Sequence, residues 1–362
     1  MTERGGPRRV RMRDVAVAAG VSASTVANVL SRPDIVAPET RLRVEQAIRR
    51  TGFVRSGPAR QLRGLPSPIV GSVVLDLANP YFAALNRGVE DRLAEAGCLL
   101  LTASTDLRPE KEGQLLDLLQ EQAVRGIVIA PIGSDRGALL AASRRGTPVV
   151  LVDEPRSGLD LCAAAVDDVL GGRLAAEHLL ALGHRRIAYL GATVESGTVT
   201  RRRAGVRQAV ADAGLDPDDT VVDLRMVLHP PALVDAAAGA VDHLLALRPA
   251  PTAVLCLNDT AALGVLRRLH ALGRRVPEDV SVVGYDDLPF AALLSPPLTT
   301  VRQPTYALGR TAAGLLLDEA RPDHTHRQVL FRPELMVRSS TAPPPGEPAA
   351  DPPPPTARRE RR

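Results

Sequence analysis

Several side chains suited to molecular recognition stand directly behind short apolar runs. Asp76 follows IVGSVVL and leads into Asn79-Pro80-Tyr81-Phe82. Ser104, Thr105 and Asp106 follow CLLLTA, Asn258 and Asp259 follow TAVLCL, and Asp286 and Asp287 follow SVVGY. Short carboxylates and amides grip hydroxyl groups through paired hydrogen bonds, and an aromatic beside them can stack on a sugar ring. Neighbours on a strand point to opposite faces, so at most one of Asp286 and Asp287 faces a cleft. Either could also cap the turn or helix that follows. Catalysis has less support, because G-x-x-x-x-G-K-S/T, H-E-x-x-H and G-x-S-x-G are all missing from the chain. His324-x-His326 has the spacing of two metal ligands on a strand, but no third ligand is near in sequence. It is expected to be surface loop, and no metal, cofactor or catalytic residue is expected.

The elements that would hold these groups follow from periodicity. IVGSVVL, CLLLTA, GIVIA, PVVLV, RIAYLG, TAVLCL and SVVGY read as buried parallel strands, with amphipathic helical stretches between most of them. That pattern is a doubly wound α/β architecture, long enough for two subdomains, and such folds bind ligands at the carboxyl ends of their strands.

The N-terminal segment is of another kind. Residues 1–65 hold 13 Arg against 5 acidic residues, so they carry +8 of a net +4 and leave −4 on the rest. A basic head on a mildly acidic body is the footprint of a nucleic-acid-binding domain joined to something else. Within it Val15, Ala16 and Ala19 have helical spacing, Gly20 can end that helix, and Ser22 can cap a second with Val26, Val29 and Leu30 inward. A third helix is expected from about Pro38 to Arg50, with Leu42, Val44, Ala47 and Ile48 available for the core. Two short helices joined by a glycine turn form a helix-turn-helix, whose second helix lies in a DNA major groove.

Composition excludes several classes. With 362 residues, 45% hydrophobic and 24% charged, most of the chain can bury cores. No apolar run reaches the roughly 18 residues of a membrane helix, and MTERGGPRRV has no apolar signal region, so a cytoplasmic location without membrane contact is expected. Cys98, Cys162 and Cys256 are odd in number and far apart, which suggests neither a disulfide framework nor a zinc site.

The stretches DVAVAAGVSASTVANVL, TRLRVEQAI and TGF resemble the headpiece of the lactose-repressor (LacI/GalR) family of bacterial transcription regulators. The resemblance implies that Ala23, Ser24 and Asn28 read base edges. Asn28 can pair bidentately with adenine, and Ala23 offers only apolar contact, while Ser22 and Thr25 touch phosphate. Ala27 and Asn28 depart from the family's usual Ser followed by Arg or His, so its operators do not carry over. VRSGPARQLRG matches the family hinge, which implies a leucine wedge into the minor groove at Leu62, with Ala59 and Arg60 beside it.

The body continues the likeness through NPYF, GGRLAAEHLLALGHRRIAYLG, RRRAG, LNDTAALG, VPEDVSVVGYDD and SPPLTTVRQP. It implies a periplasmic-binding-protein-like domain of two lobes with three crossovers. Phe82 would stack on the effector, and Arg202, Asn258, Asp286, Asp76 and Gln303 would hold its polar groups. Near Val222, where the family often carries an aromatic over the pocket, this chain has none.

The expected organisation is therefore α/β with a helix-turn-helix headpiece. A disordered start covers 1–9, the headpiece 10–55, the hinge 56–66 and the body 67–340. Lobe 1 takes 67–168 and 303–328, and lobe 2 takes 169–302 and 329–340. A disordered tail with 8 Pro covers 341–362. The expected function is a homodimeric, operator-binding regulator, most simply a repressor, controlled by a small-molecule effector of carbohydrate type. The rival is a transporter-linked sugar receptor without DNA function, which would need export and no basic headpiece.

Overall fold

The computed structural model describes residues 10–54, 67–132, 136–156, 158–193, 197–227, 232–321 and 323–346. Two compact units divide the chain, Met1–Ser67 and Pro68–Arg362. Hinge residues Ala59, Arg60 and Leu62 lie outside the described residues, as do the basic start and the chain after 346.

In the first unit α1 (Met12–Ala19), α2 (Ala23–Ser31) and α3 (Pro38–Thr51) close around Val15, Ala16, Ala19, Val26, Val29, Val44 and Ala47. Gly20 ends α1 at φ 65°, a left-handed conformation that a residue without Cβ adopts freely. Arg50 then ties α3 back to α1 by donating to the Ala18 carbonyl at 2.7 Å. Leu42 departs from the expected core and is 52% exposed. It falls off the helical stripe that Val44, Ala47 and Ile48 turn inward.

The second unit contains two six-stranded sheets. Lobe 1 has the order β11-β5-β4-β3-β1-β2, from β1 (Ile69–Val74), β2 (Leu99–Ser104), β3 (Ile127–Ile129), β4 (Val149–Val152), β5 (Cys162–Val166) and β11 (Gln328–Phe331). Lobe 2 has the order β12-β10-β9-β8-β6-β7, from β6 (Ile187–Ala192), β7 (Val221–Met226), β8 (Ala253–Cys256), β9 (Ser281–Asp286), β10 (Thr299–Arg302) and β12 (Glu334–Met336). Every pairing is parallel except β10 with β12.

Strand alternation builds a core on each face. In lobe 1 Val128 and Val150 face the helices α4 (Pro80–Ala94) and α12 (Thr305–Asp318). Their neighbours Ile127, Ile129, Val149 and Leu151 face α5 (Pro109–Glu121) and α6 (Gly137–Arg144). In lobe 2 Ile187, Tyr189, Leu255 and Tyr285 face α7 (Asp168–Ala181) and α8 (Gly197–Asp212). Leu190, Val254 and Val282 face α10 (Leu233–Ala246) and α11 (Asp259–Ala271), and the short α9 (Pro217–Thr220) precedes β7.

The chain crosses between lobes after β5, between β10 and α12, and between β11 and β12. The last crossover corrects the expected boundary at 328/329. Val329–Phe331 stay in lobe 1, paired with Ala164–Val166, and the change of lobe falls at Arg332–Pro333. Pro333 has no N–H to extend the ladder, which fits a strand ending there. The body also runs past 340. The Thr341 hydroxyl lies 2.9 Å from His178 Nε2, and Ala342 N–H donates to the Ser281 hydroxyl at 3.1 Å. Among the described residues no single helix is long and apolar enough to cross a membrane.

Candidate functional site

The headpiece presents a compact polar face. Ser22 caps α2, its hydroxyl accepting the Thr25 N–H at 3.0 Å, and also meets the Ser24 and Thr25 hydroxyls at 2.7 and 2.8 Å. Ser22, Ala23, Ser24 and Asn28 are exposed and Thr25 is half-buried, while Val26 and Val29 anchor the opposite side of the helix. Exposed polar and core-forming positions thus share one nine-residue helix on separate faces. A helix of this kind can enter a major groove without disturbing its own packing.

The body gathers a polar cluster where strands of both lobes end. Arg202, on α8, is buried in lobe 2. Its Nε donates to Asp168 Oδ1 at 2.9 Å and its Nη1 to the Leu257 carbonyl at 2.8 Å, and its guanidinium lies 3.5 Å from the Tyr285 ring centre. Close helix packing puts it there. A methyl on Gly172 would overlap the Arg202 carbonyl oxygen, and one on Gly205 that of Val169, so α7 and α8 touch backbone to backbone. Burial works against the Arg202 charge, but Asp168 and the neighbouring acids hold its pKa well above the ordinary value.

Asp286 ends β9 at φ 110° and accepts from Gln303 Nε2 at 2.7 Å. Burial pushes its carboxyl well above the usual carboxylate range, against the pull of Arg202. Gln303 itself is buried, and its Oε1 has no hydrogen-bond partner among the described residues. Asp287 turns the other way to ion pairs with Arg302 and Arg338, which fits the opposed directions of adjacent strand residues.

Lobe 1 contributes Asp153, just beyond β4 at φ 61°, which accepts from the Tyr81 hydroxyl at 2.9 Å. Desolvation, reinforced by Asp168, lifts its pKa to about 7. Phe82 is packed in the lobe 1 core, edge-on to Tyr81, with 4% of its surface accessible. Asp76 is half-buried and accepts the Ala78 N–H at 2.8 Å, and burial raises its pKa. Across the cleft, Arg201 of lobe 2 reaches Glu154 of lobe 1 at 3.1 Å and Asp168 at 3.3 Å.

Other strand-end residues serve the fold. The Asn258 side chain caps α11 by accepting the Ala261 N–H at 2.8 Å. Asp259 is fully buried and bonds the Leu288 N–H at 2.7 Å and the Thr300 hydroxyl at 2.6 Å. Asp106 is taken up by Lys111 and Ser104. Sequence reasoning missed Asp153, Asp168, Arg201, Tyr81 and Tyr285. Asp153 directly follows PVVLV and was within reach of the strand-end rule, whereas Asp168 follows the alanine-rich CAAAV, which has little strand character. Away from the cleft, His324 and His326 are not a bare loop, since Cys162 and Glu319 approach them.

A helix-turn-helix unit joined to a two-lobed body with a polar cleft defines an effector-responsive DNA-binding regulator. Residues 11–56 match the bacterial regulatory proteins of the lacI family, and residues 176–341 match a periplasmic binding protein-like domain. The HTH-type transcriptional repressor PurR of Photobacterium profundum is 32% identical over 333 residues, covering 91% of this chain and 98% of that protein. The transcriptional regulator CelR in complex with cellobiose superposes with a TM-score of 0.68 at 32% identity, over 92% of this chain and 100% of that one. The Lac repressor dimer bound to operator and the anti-inducer ONPF gives 0.77 at 27% identity, over the same 92% and 100%. The chain belongs to the lacI family of bacterial regulatory proteins. Its relatives are transcriptional repressors, and it is a regulator and not an enzyme.

Proposed function

We propose that the chain is a dimeric repressor of a near-palindromic operator, controlled by a carbohydrate held between its lobes. The buried, unpartnered Gln303 amide oxygen beside the Asp286 carboxyl carries the effector reading. A sugar hydroxyl both donates and accepts, so one ring can donate to Gln303 Oε1 and pair with the Asp286 carboxyl in either of its protonation states. An acceptor left buried without a partner costs about 1–3 kcal/mol, which a fitting ligand removes. The likeness to a regulator solved with cellobiose supports the same ligand class. Arg202 and Asp76 frame the site together with the amide nitrogen of Asn258, whose oxygen caps α11, and Phe82 backs it.

On DNA, Ala23, Ser24 and Asn28 read bases while Ser22 and Thr25 position α2 on phosphate. Paired hinges wedge Leu62 into the central step with Ala59 and Arg60 alongside. The effector changes operator affinity only by binding the two conformations of the dimer unequally.

The test is selection of bound genomic fragments by the purified chain, with calorimetry against a panel of mono- and disaccharides. A shared palindrome is expected, bound steeply less well as salt rises, with affinity altered by one class of sugar. Gln303→Leu should lose the sugar and keep the operator. Binding of nucleosides in place of sugars, or DNA affinity indifferent to every ligand bound, would overturn the effector reading.

A further inference from the structure

Four potential metal ligands meet at the end of lobe 1 opposite the cleft. Cys162 is the first residue of β5 and is fully buried. Glu319 closes the C-terminus of α12, and His324 and His326 lie on the loop leading into β11. His324 Nε2 stands 3.3 Å from Cys162 Sγ and 3.3 Å from Glu319 Oε1. These three ligand atoms all lie within 4.8 Å of one another. A further donor, His326 Nε2, is 3.3 Å from the other carboxylate oxygen, Glu319 Oε2.

We propose that Cys162, Glu319, His324 and His326 form a binding site for one zinc-class divalent transition-metal ion. Tetrahedral Zn²⁺, with bonds of about 2.0 Å to nitrogen or oxygen and about 2.3 Å to sulfur, separates its ligand atoms by about 3.3–3.6 Å. The His324–Cys162 and His324–Glu319 separations of 3.3 Å match that, while His326 approaches the second Glu319 oxygen and would turn its ring to complete the set. One thiolate, two imidazoles and one carboxylate select Zn²⁺ and its neighbours over Ca²⁺ or Mg²⁺, which take oxygen ligands.

Two further observations point to an ion. Glu319 Oε1 is buried and faces the His324 imidazole nitrogen at 3.3 Å, with the Cys162 thiol hydrogen-bonded to the same carboxylate. His326 Nδ1 lies 2.7 Å from Asp160 Oδ1, which fixes the ring with Nε2 toward Glu319. A carboxylate on the far nitrogen is the arrangement that orients histidine ligands to metals.

The expectation of no third ligand for His324-x-His326 overlooked Glu319, five residues before His324, and could not reach Cys162, 162 residues away. The fold supplies it, through the parallel pairing of β5 with β11. Bound there, the ion would staple the end of α12 to both strands at the edge of the lobe 1 sheet. β11 leads directly into the last crossover.

The experiment is titration of metal-depleted full-length protein with Co²⁺, followed by its absorption spectrum. One equivalent should produce a sulfur-to-cobalt charge-transfer band and the intense visible bands of four-coordinate Co²⁺, and Zn²⁺ should displace both. Cys162→Ser, which retains Cys98 and Cys256, should lose the charge-transfer band. Zn²⁺ should raise the melting temperature of the parent protein and leave that of this variant unmoved. If Cys162→Ser does not fold, the double variant His324→Gln, His326→Gln decides by the same readouts. No band at one equivalent, a band surviving in either variant, or equal Zn²⁺ shifts in parent and variant would overturn the site.

Discussion

The face of α2 and the cleft of the body are opposite solutions to recognition. At the start of α2 the proposed reading residues fall within seven positions, are mostly exposed, and leave the core to Val26 and Val29. In the cleft Tyr81, Asp153, Asp168, Arg202, Asp286 and Gln303 come from both lobes, and most of them hold one another. The first surface can change its target with little effect on folding. In the second, the proposed ligand site and the stability of the body rest on the same bonds.

Arg202→Met should have the largest effect and most directly tests that contrast. It leaves Asp168 at 2% exposure with only the longer contacts from Arg201 and the Tyr285 hydroxyl, and uncovering one partner of a buried pair costs about 3–5 kcal/mol. The body transition should fall sharply in a thermal melt while operator contacts on α2 remain intact. A variant that melts like the parent would mean the cleft does not depend on its own polar groups.

Next in size is a pH effect. Burial lifts Asp259 to about 7, against the pull of its bonds to Thr300 and Leu288. A raised carboxyl pKa adds stability that is complete below the unfolded value of 3.8 and disappears as pH climbs through about 7. Asp153, also lifted to about 7, acts in the same direction. Body stability should therefore decline from acid toward neutral pH on this account. Asp259→Asn can keep both hydrogen bonds, and should melt with the parent at acid pH and above it at alkaline pH. Parallel melting curves across that range would remove the buried charge from the explanation.

Asn28→Ala probes the other side of the contrast. It should weaken operator binding by about 1–3 kcal/mol and relax selection at one base pair, with no change in melting temperature. A fall in stability would mean that α2 also mixes reading with folding.

The same contrast decides what could be read from sequence. The three headpiece helices follow from apolar spacing, Gly20 and the Ser22 cap, all signals carried within a few residues. Seven strands follow from their β-branched and leucine-rich runs. CAAAV, VVDLRM, TTVR, QVLF and ELM escape, being alanine-rich, half-polar or very short, and they sit at or near sheet edges or pair late in the chain. Asp286, Gln303 and Arg202 are legible through family resemblance. Their partners Asp168 and Tyr285 are not, because the contact depends on two glycines that let α7 and α8 meet. Sites assembled by packing become visible only when the packing is known.

Ser22 is where the two solutions meet, and the smallest effect expected is also the most discriminating. Its hydroxyl caps α2, and as a phosphate contact it would also position the helix on DNA. Replacing a Ser cap with Ala costs about 1 kcal/mol of helix stability, but with Gly only a few tenths. Ser22→Ala should therefore lower headpiece stability more than Ser22→Gly does. A lost phosphate contact should appear in both variants alike, reducing the slope of log affinity against log salt by about 1. Melting of the full chain with salt-dependent operator binding would separate the roles. If the salt slope stays at the parent value in both variants, Ser22 only starts the helix. If it falls equally in both while stability falls only with Ala, one hydroxyl serves fold and recognition together, as is proposed for the cleft residues.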